Sequence, residues 1–129
     1  MVEMVIILPL LFMLLFAMVE FSVLFGRWQT LSNAAREGAR TAVVFRRNCN
    51  TATVEAEVRQ RVKDYAVPLG MALGDGDISV SGVCGASDTS SSVNVVFPHT
   101  FRVLPNFAES VSSTINLVGR SVMRNEGSG

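Results

Sequence analysis

The sequence predicts an α+β protein: a long N-terminal helix made of a membrane half and a stalk, a second amphipathic helix, and a small antiparallel β-sheet of about three to four strands. Three observations carry this. Residues 4–19 (MVIILPLLFMLLFAMV) hold no charge, and the apolar run resumes after Glu20 as far as Gly26. Val54, Val58 and Val62 recur every fourth residue with charged residues between them. From Ile78 onward the apolar residues alternate with a period of two. On this reading residues 1–47 form the long helix, with 4–26 transmembrane and 27–47 as stalk, and residues 48–129 form a small α+β domain.

A membrane-spanning helix needs about 20 predominantly apolar residues, and the first stretch supplies them. Its apolar residues occupy every face, which excludes a surface helix of a soluble protein. Pro9 is the one breaker; it removes a backbone bond and is expected to kink the first turns, a defect that membrane helices tolerate. A secretory signal peptide would open with a basic segment and a shorter apolar core, whereas this chain opens Met1-Val2-Glu3. The nearest cation is Arg27, beyond the run, so flanking charge says little about orientation.

Trp28, beside Arg27, is of the type that marks a membrane interface, and the chain then turns polar without a loop signal. The helix is expected to continue as a stalk, for a total of roughly 65 Å at 1.5 Å per residue. Ala34, Gly38 and Ala42 recur every fourth residue, with Ala35 and Ala39 adjacent, giving a face almost without side chains. A small-residue stripe lets another backbone approach closely. Two occupants fit it: the chain's own domain, or another subunit. Arg36, Glu37 and Arg40 lie opposite, and Glu37 and Arg40 have the spacing of a helical ion pair.

Asn48 to Thr51 are cap and turn residues, and a second helix is expected over about 53–67, ending before Pro68. Gly74-Asp75-Gly76-Asp77 reads as a turn; its acids are too few and wrongly spaced for a calcium loop. Strands follow at Ile78–Val83, Val93–Pro98 and Ile115–Met123. Gly85 to Ser92 is too polar for a core and reads as a hairpin loop. Pro98 and Pro105 mark the second strand as interrupted or as an edge, His99 reads as a partly exposed strand residue, and the tail from Asn125 to Gly129 reads as frayed.

Eleven basic and eleven acidic residues cancel, so nothing points to nucleic acid. Cys49 and Cys84 both lie outside the apolar run. In so small a domain such a pair favours a disulfide over a metal site, which would want more ligands than two cysteines and one distant His99. A disulfide puts the domain in an oxidising compartment. The sequence carries no catalytic constellation and no cofactor motif, so neither an enzyme nor a cofactor is expected.

The costly residues are Glu3 and Glu20, at the two ends of the uncharged core. Glu3 lies within reach of no Lys or Arg, and the natural partner for its carboxylate is the α-amino group of an adjacent copy.

Val2-Glu3, the apolar run with Leu8-Pro9, Glu20-Phe21 and above all Asn33-Ala34-Ala35-Arg36-Glu37-Gly38-Ala39-Arg40-Thr41-Ala42-Val43 resemble the N-terminal signature of the TadE-like family of pseudopilins. Ser121 to Glu126 is similar to that family's C-terminal end. The resemblance implies a minor pilin of the tight-adherence (Tad, or Flp-type) pilus and secretion system. Such a protein sits in the bacterial inner membrane with a single pass and a periplasmic domain, and is extracellular when part of a pilus. Its implied partners are other pilins and the pilus assembly platform, together with a prepilin peptidase where a basic leader precedes Met1. In that setting Glu3 and the Ala34, Gly38, Ala42 stripe would act in assembly. The alternative is a stand-alone single-span protein whose domain binds a periplasmic partner without polymerising.

Overall fold

The computed structural model describes residues 2–44, 46–102 and 114–126. The elements are α1 (Val2–Val43), α2 (Thr51–Ala66), two single-turn 3-10 helices (Val67–Leu69 and Asp75–Asp77), β1 (Ile78–Ser81), β2 (Ser90–Thr100) and β3 (Thr114–Arg124). The fold is the expected α+β, with a three-stranded antiparallel sheet in the order β1-β2-β3. Pro105, Met1 and residues 127–129 lie outside the described residues.

Contacts divide the chain into two compact units, Met1–Gly26 with Pro98–Asn116, and Arg27–Phe97 with Leu117–Gly129. The second holds the core. Its α2 is capped by Asn50, whose Oδ1 accepts from the backbone N–H groups of Ala52 at 3.1 Å and Thr53 at 3.4 Å. This satisfies donors that a helix start leaves open. Val54, Val58, Val62 and Ala66 form the one buried stripe of α2. The α-helix ends at Ala66 and tightens into the 3-10 turn Val67–Leu69, where Pro68 has no N–H to carry the α-helical ladder on, and Gly70, at φ +67°, turns the chain.

In the sheet, Ile78 pairs with Val95 and Val80 with Val93. Ile78, Val93, Val95 and Leu117 point inward, as the alternation predicts. The stalk part of α1 completes the core with Leu31, Ala34, Ala35, Ala39 and Ala42.

Several expectations need correcting. The first helix stops at Val43 rather than 47, because the Val43 carbonyl accepts from the Glu126 N–H at 3.2 Å and the chain turns toward Cys49. Ser90 to Ser92 belong to β2 rather than to a loop: Ser92 pairs with Ser81 in the ladder, and Ser91 is completely buried. The second strand is central, not an edge. β1 pairs with it only over residues 92–95, so Pro98 falls beyond the stretch where a missing N–H would break that ladder. His99 is buried, with its ring edge-on to Phe101 at 5.4 Å, since it continues the inward set 91, 93, 95. Asn125 is buried as well, and not part of a frayed tail.

Candidate functional site

The feature that sets this chain apart is the first half of α1. Large apolar side chains from Met4 to Phe25 stand exposed around the whole circumference, among them Ile6, Leu10, Phe12, Phe16 and Phe21. Glu3 to Val43 is one helix that contains a window long and apolar enough to cross a membrane, and none of that window is buried. The helix runs through Pro9 without interruption. Glu3 is exposed in the first turn, where a carboxylate complements the helix dipole.

In the same unit the backbone N–H of Arg102 donates to a Glu20 carboxylate oxygen. The Arg102 side chain itself is exposed.

The stalk carries the Asn33–Arg40 signature, and the structure fixes what its small residues do. Ala34, Ala35 and Ala39 are completely buried and Ala42 nearly so. A Cβ on Gly38 would come within 2.6 Å of Val62 Cγ2 and 3.4 Å of both Val58 Cγ1 and Val93 Cγ1. The stripe is thus packed against the chain's own α2 and β2, one of the two occupants that its spacing allows. Gly119 makes the matching approach from the sheet: a Cβ there would fall 2.5 Å from the Leu31 carbonyl oxygen. Arg36 and Arg40 remain exposed on the outer side, with Asn33 and Glu37 partly covered. Arg27 lies over the Phe97 ring at 5.8 Å from its centre, a cation–π contact.

The end of the stalk is tied down twice. Cys49 and Cys84 form the expected disulfide, with Cα atoms 5.6 Å apart. Beside it, Asn125 Nδ2 donates to the Gly82 carbonyl at 3.0 Å and to Thr89 Oγ1 at 2.8 Å, while the Asn125 N–H donates to the Thr89 carbonyl at 3.0 Å. The buried Ser91 hydroxyl lies between the Gly82 carbonyl and Asn125 Oδ1 and has one proton for the two. Gly82, at φ +78°, and Gly85 leave room for this cluster; a Cβ on Gly85 would meet Asn125 Nδ2 at 2.6 Å. Sequence reasoning missed Asn125 and Ser91 because polar residues near a chain end and in a serine run read as solvent-exposed. The only signal was the similarity of Ser121–Glu126 to a family end.

Electrostatics at the domain surface are modest. Arg46 bonds Glu57 at 2.8 Å and holds its carboxyl below the usual range, against an opposing effect of burial. Lys63 bonds Asp75 at 2.7 Å with the same effect on that carboxyl. Asp77 Oδ2 accepts from the Gly74 N–H at 2.8 Å, so the acids of the 74–77 turn serve to hold it. Among the described residues no cluster of His, Cys, Asp and Glu could hold a metal ion.

Residues 1–40 match the family model described as TadE-like protein. The resemblance seen in the Glu3, Leu8-Pro9 and Asn33–Arg40 pattern is thereby shown, over the apolar half of α1 and the stalk as far as Arg40. No curated protein and no solved structure matches the chain significantly.

Proposed function

We propose that this chain is a minor pilin, or pseudopilin, that is inserted in the bacterial inner membrane and takes part in assembly, adhesion or secretion by a Tad (Flp-type) pilus. The observation that carries the reading is the exposed, all-round apolar half of α1 in a chain whose residues 1–40 match the TadE-like family. Such a surface needs lipid or other apolar helices around it, and a filament core of packed helices supplies the second as a membrane supplies the first. The Cys49–Cys84 bond supports a domain on the oxidising, periplasmic side. No step in this role calls for catalysis, and we assign the chain no enzymatic activity.

With the stalk stripe occupied by its own domain, the contacts to other pilins and to the assembly platform fall to the apolar half and to Glu3. Glu3 would neutralise the N-terminal amine of a neighbouring subunit, since a buried charge persists only when paired. The test is Glu3→Gln, followed by fractionation of membrane and sheared filaments. The variant should insert normally and be lost from filaments. Incorporation at the wild-type level removes the assembly role of the acid. A stand-alone single-span protein is the second reading, favoured by the inward-facing stripe; for it, Glu3→Gln would change nothing.

A further inference from the structure

We infer that the hydrocarbon boundary of the membrane lies at Glu20, more than one and a half turns before the end of the apolar run, and that the segment Pro98–Arg102 rests on the lipid headgroups there. The inference rests on the membrane-anchor reading alone and is independent of filament assembly.

The run of apolar residues by itself puts the boundary near Gly26, with Trp28 at the interface. The structure opposes this at one point. The N–H of Arg102 is bonded to the Glu20 carboxylate, and residues 101–102 are neither helix nor strand. Irregular backbone exposed to lipid does not occur within the hydrocarbon layer, because its polar groups would find no partners. Arg102 also has an exposed side chain, while His99 is packed against Phe101, so the segment is part of a folded unit with Glu20 and not a dangling loop. If Glu20 were inside the bilayer, this backbone and the Arg102 guanidinium would be inside with it. Glu20 must then sit at or beyond the edge.

The remaining span is long enough. Glu3 to Glu20 covers roughly 26 Å at 1.5 Å per residue, a few Å short of the ~30 Å of a typical hydrocarbon core, a mismatch that local thinning of the bilayer absorbs. Glu3 and Glu20 then bracket the core at its two edges, and neither carboxylate is placed at depth. Phe21, Val23 and Phe25, all exposed, occupy the headgroup layer, which is about 5–7 Å thick. Arg102 is placed to meet anionic headgroups. Trp28 moves out of the interface, eight residues or roughly 12 Å along the helix past Glu20.

Trp28 is the chain's single tryptophan and serves as the probe. The full-length protein is reconstituted into vesicles of phosphatidylethanolamine and phosphatidylglycerol in which bromine is carried at defined acyl positions. Two further versions move the tryptophan: Trp28→Phe with Phe16→Trp, and Trp28→Phe with Val23→Trp. Quenching by mid-chain bromine should be strong at 16 and several-fold weaker at 23 and 28, with position 23 responding only to shallow bromine. Mid-chain quenching at 23 equal to that at 16 overturns the inference and leaves the membrane reading intact. Failure of the protein to co-sediment with vesicles overturns both. Should a version misfold, loss of its Cys49–Cys84 bond on a non-reducing gel will expose it, and a free cysteine at the same position, labelled with a membrane-impermeant maleimide, gives the same readout.

Discussion

Replacing Gly38 with alanine tests the seat of the stalk in the most compact way. The new methyl would lie 2.6 Å from Val62 Cγ2 and 3.4 Å from Val58 and Val93 methyls. All three valines are essentially inaccessible, and each is β-branched with few rotamers to yield into. Overpacking of this kind costs about 1–3 kcal/mol. Against it, alanine gains about 0.8–1 kcal/mol over glycine in a helix interior. The net expectation is a loss of about 0–2 kcal/mol, up to roughly 16 °C in Tm at about 4–8 °C per kcal/mol for a domain of this size. Gly38→Leu, with three more carbons and nowhere to put them, should lose more than the alanine variant. The assay is thermal unfolding of the detergent-solubilised full chain followed by near-ultraviolet circular dichroism, at matched detergent. An unchanged or raised Tm for Gly38→Leu would mean that only helix propensity is felt, and that α1 is not seated on α2 and β2.

Three other perturbations follow from the same structure. Cys49→Ser with Cys84→Ser opens a loop spanning a sequence separation of 35, which the chain-entropy account values at about 4 kcal/mol; a mass increase of two alkylated thiols without prior reduction of the wild type would show that the bond is not formed. Asn125→Ala removes the side chain that joins Gly82, Thr89 and Ser91, at a cost of about 1–3 kcal/mol because partners are left buried; denaturant unfolding measures it, and a loss no larger than a surface substitution would contradict the buried cluster. Glu57→Gln tests the Arg46 pair. Because the carboxyl is held below its ordinary 4.5, its stabilisation is present above that pH and disappears as pH falls through the lowered value. With both side chains partly exposed, solvent screening leaves a few tenths of a kcal/mol. The wild type should therefore exceed the variant slightly at pH 7, and the difference should shrink as the pH is taken below 4.5.

Much of this fold was written in plain periodicity. All-round apolarity marked the first half of α1, the four-residue spacing of Val54, Val58 and Val62 marked α2, and alternation marked the strands. These signals are strong because burial acts on side chains at the repeat of the backbone. Three of the errors share one cause. Ser91, His99 and Asn125 are polar residues at inward positions, where polarity alone predicts exposure; Ser91 and Asn125 are bonded to each other and to the Gly82–Thr89 turn, and His99 packs edge-on to Phe101, contacts that sequence spacing does not reveal. The small-residue stripe of Ala34, Gly38 and Ala42 was legible as a close-packing face, but its occupant was not. Nothing in a sequence of small side chains says whether the approaching backbone belongs to the same chain. The oxidised cysteine pair was legible because so small a domain holds only two.

The central claim is that the exposed half of α1 packs against the helices of other pilins. Leu14, in the middle of that half, is exposed. A photo-crosslinking amino acid in its place, activated in cells that assemble the pilus, captures whatever surrounds the helix. Adducts with other pilin subunits, identified by mass spectrometry in the membrane and in sheared filaments, are the predicted result. Adducts with lipid alone, at full expression and insertion, would contradict the account and leave a single-span protein that does not polymerise.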